Sequence, residues 1–389
     1  MENDEPHEQT LFVTNGATLT VDTLCCGWFS DNPSQRIDVL VDASTVNGTY
    51  SIWPMHNLTS TAKAYYTVRN GSMMYSRTPM LISGVVDMDF TDSVFAKDST
   101  LGFTGVTVDN KWYANGLLKF GGGSTAYIDN LNANGANGRL TLAFDGGTWM
   151  TGSGDTALKV YYISVEDPSK ITVRLDAGGA TIPVESGCTL TVAHPLTGEG
   201  AFTKTGAGTM AFTTQSTWNK NRLEETKWTA DPVTWAFAGE AQIEEGVVSV
   251  EEGASTAASA AYLAADATLV LSGEVAFGRL RGAGAVSGGT LSGATLVAAL
   301  DETGANTNEV VTLDCALSGV TKVDFGAVPG TPAPRPLPRN VVVANYTGAE
   351  LGAWKGVNLG DSALTTAFRL EDGKVLCDFR RDGMVIFVK

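Results

Sequence analysis

Histidine is scarce in this 389-residue chain: His7, His56 and His194 are all there is. None stands at metal-ligand spacing from a second ligand type, and none has a nucleophile and carboxylate close by in sequence. A locally written zinc site or hydrolytic triad is therefore excluded; such a site would have to be assembled through space from His56 or His194. Cysteine is nearly as sparse, at five residues with no Cys-x-x-Cys pair. That odd number argues against a dense disulfide framework and for thiols packed as small apolar groups. Cys25 and Cys26 are adjacent, so in a strand at most one of them faces the core. Basic side chains are outnumbered 26 to 42, a formal net charge of −16. Such a surface repels phosphate backbones, which removes nucleic acid from the expected partners and hinders self-association. No apolar run approaches the roughly 20 residues of a membrane span. Even residues 257–271 are mostly small side chains and contain Asp266. The opening Met-Glu-Asn-Asp-Glu-Pro-His-Glu-Gln has no apolar signal segment. It reads either as a cytosolic start or as a mature end left by removal of a leader, and an export-type β architecture favours the second. Also missing are long Glu/Lys-rich stretches with the 3.6-residue period of surface helices.

What the chain has instead is glycine, 44 residues of it, among abundant Thr, Ala, Val and Ser. The organising stretch is residues 196–250. In it Phe202-Thr203-Lys204-Thr205 and Thr209-Met210-Ala211-Phe212 alternate on either side of a Gly206-Ala207-Gly208 turn, and the pattern resumes from Gly239 to Val250. Strand, glycine corner and strand, with no helical segment between, is how a β-solenoid is written. One coil cannot bury its inward face alone, so similar coils must stack on it. The phrase recurs: Leu11 to Val21 around Asn15-Gly16, Tyr66 to Tyr75 around Asn70-Gly71, Leu118 to Ile128 around Gly121-Gly122-Gly123, Leu142 to Met150, and Ile182 to Val192. Its shared grammar is apolar-x-apolar, a polar or glycine corner, Thr or Ser, then alternation again. Asn-Gly also marks antiparallel hairpins. Irregular spacing and constant orientation of the motif favour stacked parallel coils over an antiparallel β-sandwich array.

The expected architecture is all-β: a parallel β-helix with a C-terminal β cap. Residues 1–9 are an acidic tail, and 10–328 the solenoid, with an insertion at 215–238. Segments 29–60 and 76–115 are less regular and read as coils with longer loops. Residues 257–300 return to order, with short strands and tight turns at 267–273 and 280–291, and the alanines of 259–265 suit a helical turn or two. Residues 329–340, Pro-Gly-Thr-Pro-Ala-Pro-Arg-Pro-Leu-Pro-Arg-Asn, cannot enter a ladder and should be extended and exposed. From 341 to 389, strand-like runs joined at Asp372-Gly373 and Asp382-Gly383 carry hairpin signals and are expected to cap an end that would otherwise template aggregation.

Lys204-Thr205-Gly206-Ala207-Gly208-Thr209-Met210-Ala211-Phe212, followed by Gly239 to Val250, resembles the autotransporter-associated β-strand repeat of secreted and surface passenger proteins. The likeness is specific over 200–250 and faint over 11–300. It departs at Met210, where leucine is usual, and at the insertion that splits the unit. The resemblance implies a right-handed parallel β-helix and a secreted or cell-surface location; no membrane barrel follows the repeat. It implies no particular chemistry.

Two groups of residues stand out as candidates for ligand binding. Asp87-Met88-Asp89 puts two carboxylates on one strand face, suited to calcium or to acid/base work on a sugar. The cluster lacks the glycine and spacing of a calcium loop, and alternation with Met88 and Phe90 is also what any half-buried strand shows. In the insertion, Trp218, Trp228 and Trp235 accompany Asn219, Lys220, Asn221, Arg222 and Lys227. Flat aromatics beside amides and cations suit sugar stacking or a protein contact; a flap folded onto the solenoid flank is the competing account. The Gly-His-Gly and Arg-x-Lys elements of pectin-acting β-helices are not found. No catalytic residue, metal ligand or cofactor is assigned. Two functions stay open: a non-catalytic stalk, spacer or adhesin segment touching glycans or other cell-surface molecules, and a polysaccharide-binding or polysaccharide-degrading β-helix.

Overall fold

The computed structural model describes residues 8–26, 34–55, 61–81, 84–97, 101–104, 106–108, 111–128, 131–134, 139–150, 154–158, 160–162, 171–213, 217–219, 235–254, 259–301, 306, 309–327 and 336–381. Among them there is no helix, and thus none long and apolar enough to cross a membrane. The protein is all-β, and its sheets are predominantly parallel. The chain divides into two units, Met1–Thr203 with Thr213–Gly239, and Lys204–Phe212 with Glu240–Lys389.

The first unit is built on parallel ladders. The longest runs through Glu8–Thr14, Arg36–Asp42, the first halves of Lys63–Leu81 and Gly84–Lys97, the end of Lys111–Gly121, Arg139–Asp145, Ile171–Leu175, Leu196–Gly198 and Trp235–Phe237. Its register aligns Val13, Val41, Val68, Phe90, Phe120, Phe144, Leu175, Gly198 and Phe237 in one inward column. Parallel strands lie about 4.8 Å apart, so rings on successive strands are brought to stacking distance by the backbone itself. Phe90 and Phe120 stack at 5.1 Å between centroids, Phe120 and Phe144 at 5.3 Å. Trp149 adds to that pile at 6.0 Å from Phe144 and donates its indole N–H to the Ile128 carbonyl at 2.6 Å. Gly198 interrupts the column because its φ of +115° and the Leu175 carbonyl, pressed against where a Cβ would sit, leave no room for a side chain.

A second ladder joins Thr18–Cys25, Thr45–Trp53, the later parts of Lys63–Leu81 and Gly84–Lys97, Thr125–Tyr127, Gly147–Met150 and Ala180–Pro183. A third joins the end of Lys63–Leu81 to Leu101–Thr104, Leu131–Asn134, Val160–Tyr162 and Thr217–Asn219. Asn15-Gly16 and Asn70-Gly71 are left-handed, as their sequence demands, yet they make no hairpin. The strands on either side pair forward with the next rung, never with each other.

The corner between the first two ladders recurs in one form. Ala43, Gly71, Asp92 and Gly123 have positive φ, and each is followed by a buried serine: Ser44, Ser72, Ser93 and Ser124. Turning the chain there takes carbonyls out of the ladder, and the hydroxyls of Ser72, Ser93 and Ser124 answer them, whereas Ser44 Oγ has no partner among the described residues. Ser72 Oγ lies 3.1 Å from the Val41 carbonyl and 2.5 Å from that of Arg69, and accepts the Ser44 N–H at 3.1 Å. Ser93 donates to Val68 at 3.0 Å and Ser124 to Gly121 at 2.5 Å. The stack ends at Gly147, where a Cβ would lie 2.9 Å from Ser124 Oγ.

The second unit has a plainer plan. One parallel ladder runs Glu240–Ile243, Ala260–Leu263, Arg279–Gly282, Thr295–Val297, Val320–Ala327 and Ala353–Leu359. The other runs Thr209–Phe212, Gly246–Glu251, Ala267–Ser272, Ala285–Ser292, Thr312–Ser318 and Val341–Tyr346. Their inward residues are mainly aliphatic, Ile243, Leu263, Leu280 and Leu296 on the first and Val248, Leu269, Val286 and Leu313 on the second, all buried. The pairing then turns antiparallel: Lys374–Arg381 joins Val341–Tyr346, and Leu364–Glu371 joins Lys374–Arg381 through the Asp372-Gly373 turn. The second expected joint, Asp382-Gly383, lies outside the described residues.

Several local expectations change. Residues 260–263 form a strand, not a helical turn, because Ala261 and Leu263 are buried between Ala241 and Ile243 on one side and Leu280 and Gly282 on the other; tertiary pairing outweighs alanine's preference. Glu8 and Gln9, inside the expected acidic tail, pair with Arg36 and Ile37. Within 36–53, Arg36–Asp42 is regular, the alternation of Asp38 and Asp42 with buried valines having been hidden by polar neighbours, while Thr45–Trp53 keeps an irregularity between Gly48 and Ser51. Pro338 is buried, and its carbonyl accepts the Phe379 N–H at 2.9 Å.

Because Ser72 serves two rungs of the corner, Ser72→Ala should lower unfolding free energy by about 1–3 kcal/mol. Urea denaturation followed by circular dichroism checks this, with exposed Thr20→Ala as the neutral comparison.

Candidate functional site

Asp87 and Asp89 sit outward on Gly84–Lys97, either side of buried Met88. In register, Asp87 lies between Tyr65 and Leu117, and Asp89 between Thr67 and Lys119. Asp89 accepts a 3.3 Å hydrogen bond from Thr91 Oγ1, while the Lys119 ammonium goes to Asp145 at 3.2 Å. Asp92 is turned away at the corner, with φ +45°. Among the described residues no group of three or more His, Cys, Asp or Glu side chains is arranged to hold a metal ion. The pair is a solvated strand face whose inward neighbours fix it there.

Of the three candidate tryptophans, only the side chain of Trp235 is placed, and it is not at the surface. Trp218 belongs to Thr217–Asn219 and is in register with Tyr161. Trp228 lies outside the described residues. Trp235 is in the interior, only 3% exposed, with its ring 5.3 Å from Phe202 and 5.2 Å from Phe237.

His194 is the described histidine, and it too is buried. Its Nε2 lies 2.9 Å from the Ile171 carbonyl, which fixes the proton on that nitrogen. Burial pushes its pKa down to about 4, against the partial support of that carbonyl. It is a neutral structural ring. His7 and His56 lie outside the described residues. All five cysteines are free thiols; Cys377 is buried and the others half-buried. Cys25 ends a strand, and just beyond it Cys26 receives the hydroxyl of buried Tyr66 at 3.2 Å.

The most specific polar arrangement is one that the residue order shows only as part of a repeat. Lys204 is completely buried. It has the same inward parity as Phe202, two residues earlier, so strict alternation would have placed it inside. Its ammonium donates to the Gly206 carbonyl and, at 2.7 Å, to that of Glu245. Gly246 makes room for it: a Cβ there would come 2.6 Å from Nζ. Burial pulls the lysine pKa down to about 8, with the negative charge of Glu245 acting the other way. A lysine committed to two turn carbonyls and shut from solvent can cross-brace two corners, and it offers no nucleophile to a substrate. Thus the residues bearing the sharpest chemistry, Lys204 and His194, are both committed to the backbone.

No protein-family model matches the chain, and no curated protein matches it.

Two outcomes are expected from these buried groups. Lys204→Met removes the donor from both carbonyls and should cost about 2 kcal/mol of stability, read as a lower urea midpoint. For His194, the unfolded ring binds a proton below its usual value near 6.5, whereas the folded ring resists until about 4. Its contribution is therefore whole above pH 6.5 and declines as pH falls towards 4, by up to about 3 kcal/mol. His194→Gln, which keeps an N–H for Ile171, should flatten the stability profile between pH 6.5 and 4 in denaturation midpoints taken at half-unit steps.

Proposed function

We propose that the chain is a β-solenoid whose ladders close through their corners into a right-handed parallel β-helix. It serves as a stalk or adhesin-type passenger segment of a secreted or cell-surface protein, without catalysis of its own. The observation that carries this reading is the continuity of the longest ladder, whose strands keep one register and one orientation from Val13 to Phe237. A structure of this sort gains length one rung at a time without rebuilding its centre, which suits a spacer. Right-handedness is favoured because crossovers between parallel strands take that hand in about 98% of cases. The likeness of residues 204–212 and 239–250 to the autotransporter-associated repeat supports the passenger role. The bracing of Lys204 gives that repeat's lysine and glycines a physical purpose.

The test has two arms. Antibodies raised against the chain should label intact source cells, and external protease should remove the label; a signal seen only after lysis sinks the surface assignment. Incubation with a panel of neutral and acidic polysaccharides should yield no shortened products by size-exclusion chromatography. Depolymerisation would replace the stalk with a polysaccharide-degrading β-helix, whereas binding without turnover fits an adhesin.

A further inference from the structure

Exposed cations on this acidic chain are repeatedly held by a carboxylate beside them: Arg36 by Asp38 at 2.7 Å, Arg69 by Asp42 at 2.8 Å, Lys119 by Asp145 at 3.2 Å and Arg174 by Asp176 at 2.5 Å. Other exposed cations, Lys63 and Arg139 among them, have no such partner among the described residues, and three of these unpaired cations fall in one row. On the first ladder of the second unit, Ala260, Arg279, Thr295, Lys322 and Lys355 occupy successive strands in register, all facing outward. Arg279, Lys322 and Lys355 are exposed, and among the described residues none of them has an ion-pair partner.

The strand spacing sets Lys322 about 4.8 Å from Lys355 along the ladder, and Arg279 about 10 Å from Lys322. Like charges directly opposite one another destabilise a sheet, so the row runs against the fold's own interest. Two carboxylates stand close by, Glu240 in the same register row beyond Ala260 and Asp324 on the strand of Lys322, and neither forms an ion pair with the row. Glu240 takes the Arg281 guanidinium at 2.5 Å, and that same guanidinium lies 4.6 Å from the Tyr262 ring centre. Asp324, two residues from Lys322, accepts from Asn358 Nδ2 at 2.8 Å and from the Gly326 N–H at 2.9 Å. Alongside the lysines run Val320, 44% exposed, and exposed Ala353, also in register with each other.

We propose that this row is a binding site for a linear acidic polysaccharide, with carboxylate or sulfate groups bridging Arg279, Lys322 and Lys355 and the apolar sugar faces resting on Val320 and Ala353. Charge complementarity selects an anion. The single-file layout selects a narrow chain, and anionic groups on successive or alternate sugars repeat at about one or two strand spacings, as Lys322–Lys355 and Arg279–Lys322 do. A wide polyanion such as duplex nucleic acid would meet the repulsion of a chain carrying net charge −16. The site stands independently of where the protein resides and of the stalk reading, since it concerns affinity and not location or turnover.

Fluorescence anisotropy with the full chain, using labelled heparin-derived and oligogalacturonate oligosaccharides at about 50 mM salt, tests it. Dextran and duplex DNA are run in parallel. At least one acidic oligosaccharide should bind, dextran should not, and binding should fade by about 500 mM salt. The double variant Lys322→Glu/Lys355→Glu should weaken binding by about tenfold or more, and Arg139→Glu, an exposed cation of the first unit, should leave it unchanged. Circular dichroism verifies folding, and Lys322→Gln/Lys355→Gln takes over if the charge reversal does not fold. Undiminished affinity in the folded double variant overturns the proposal. So does failure of the wild type to bind either acidic oligosaccharide, or equal binding of DNA with the same dependence on the lysines.

Discussion

In-register parallel pairing is the constraint on which the rest of the structure depends. Once each strand lies flat against the next, whatever one rung does at a given position the next must accommodate about 4.8 Å away. Apolar side chains satisfy this easily, and aromatic ones stack, as Phe90, Phe120 and Phe144 do. Corners are harder, because a left-handed residue breaks the hydrogen-bonding pattern at the same place on every level. The first unit answers with a file of buried serines, Ser72, Ser93 and Ser124, whose hydroxyls reach the carbonyls of Val41, Val68 and Gly121. The second unit's beginning answers with one long side chain, the Lys204 ammonium reaching the carbonyls of Gly206 and Glu245. These are different chemistries for a common geometric demand, namely a donor delivered to a carbonyl that the bend has taken out of the ladder.

This also explains which parts of the fold were legible from residue order. Alternation and glycine corners were enough to identify strands around Asn15-Gly16, Asn70-Gly71 and Gly206, and the serine after the corner was already visible in the shared phrase. The choice of partner was not. Phe144 and Leu175 are neighbours in the ladder, although a long excursion separates them in the chain. Detours of variable length hide any fixed period. Alanine-rich 260–263 looked helical because local propensity says nothing about a strand waiting on each side. The antiparallel turn at Asp372-Gly373 was legible because it is purely local.

Candidate chemistry was less legible than architecture, for a related reason. Asp87 and Asp89 attract attention as a pair, but their spacing is simply that of a strand face. Trp235 suggested a sugar platform, yet it fills the interior beside Phe202 and Phe237. The row Arg279, Lys322 and Lys355 went unseen because its members are scattered in sequence and meet only through register across strands. Side chains on a ladder acquire their meaning from the rungs above and below, which linear spacing does not reveal.

The unequal interiors of the two units have an optical consequence. Every tryptophan except Trp354 belongs to the first unit, where Trp149 and Trp235 are enclosed among phenylalanines. The second unit's aliphatic interior is dark by comparison, with a lone half-covered indole. Emission spectra recorded during melting would therefore report mostly on the aromatic half, and a transition confined to the aliphatic half would pass almost unseen unless followed in the far ultraviolet.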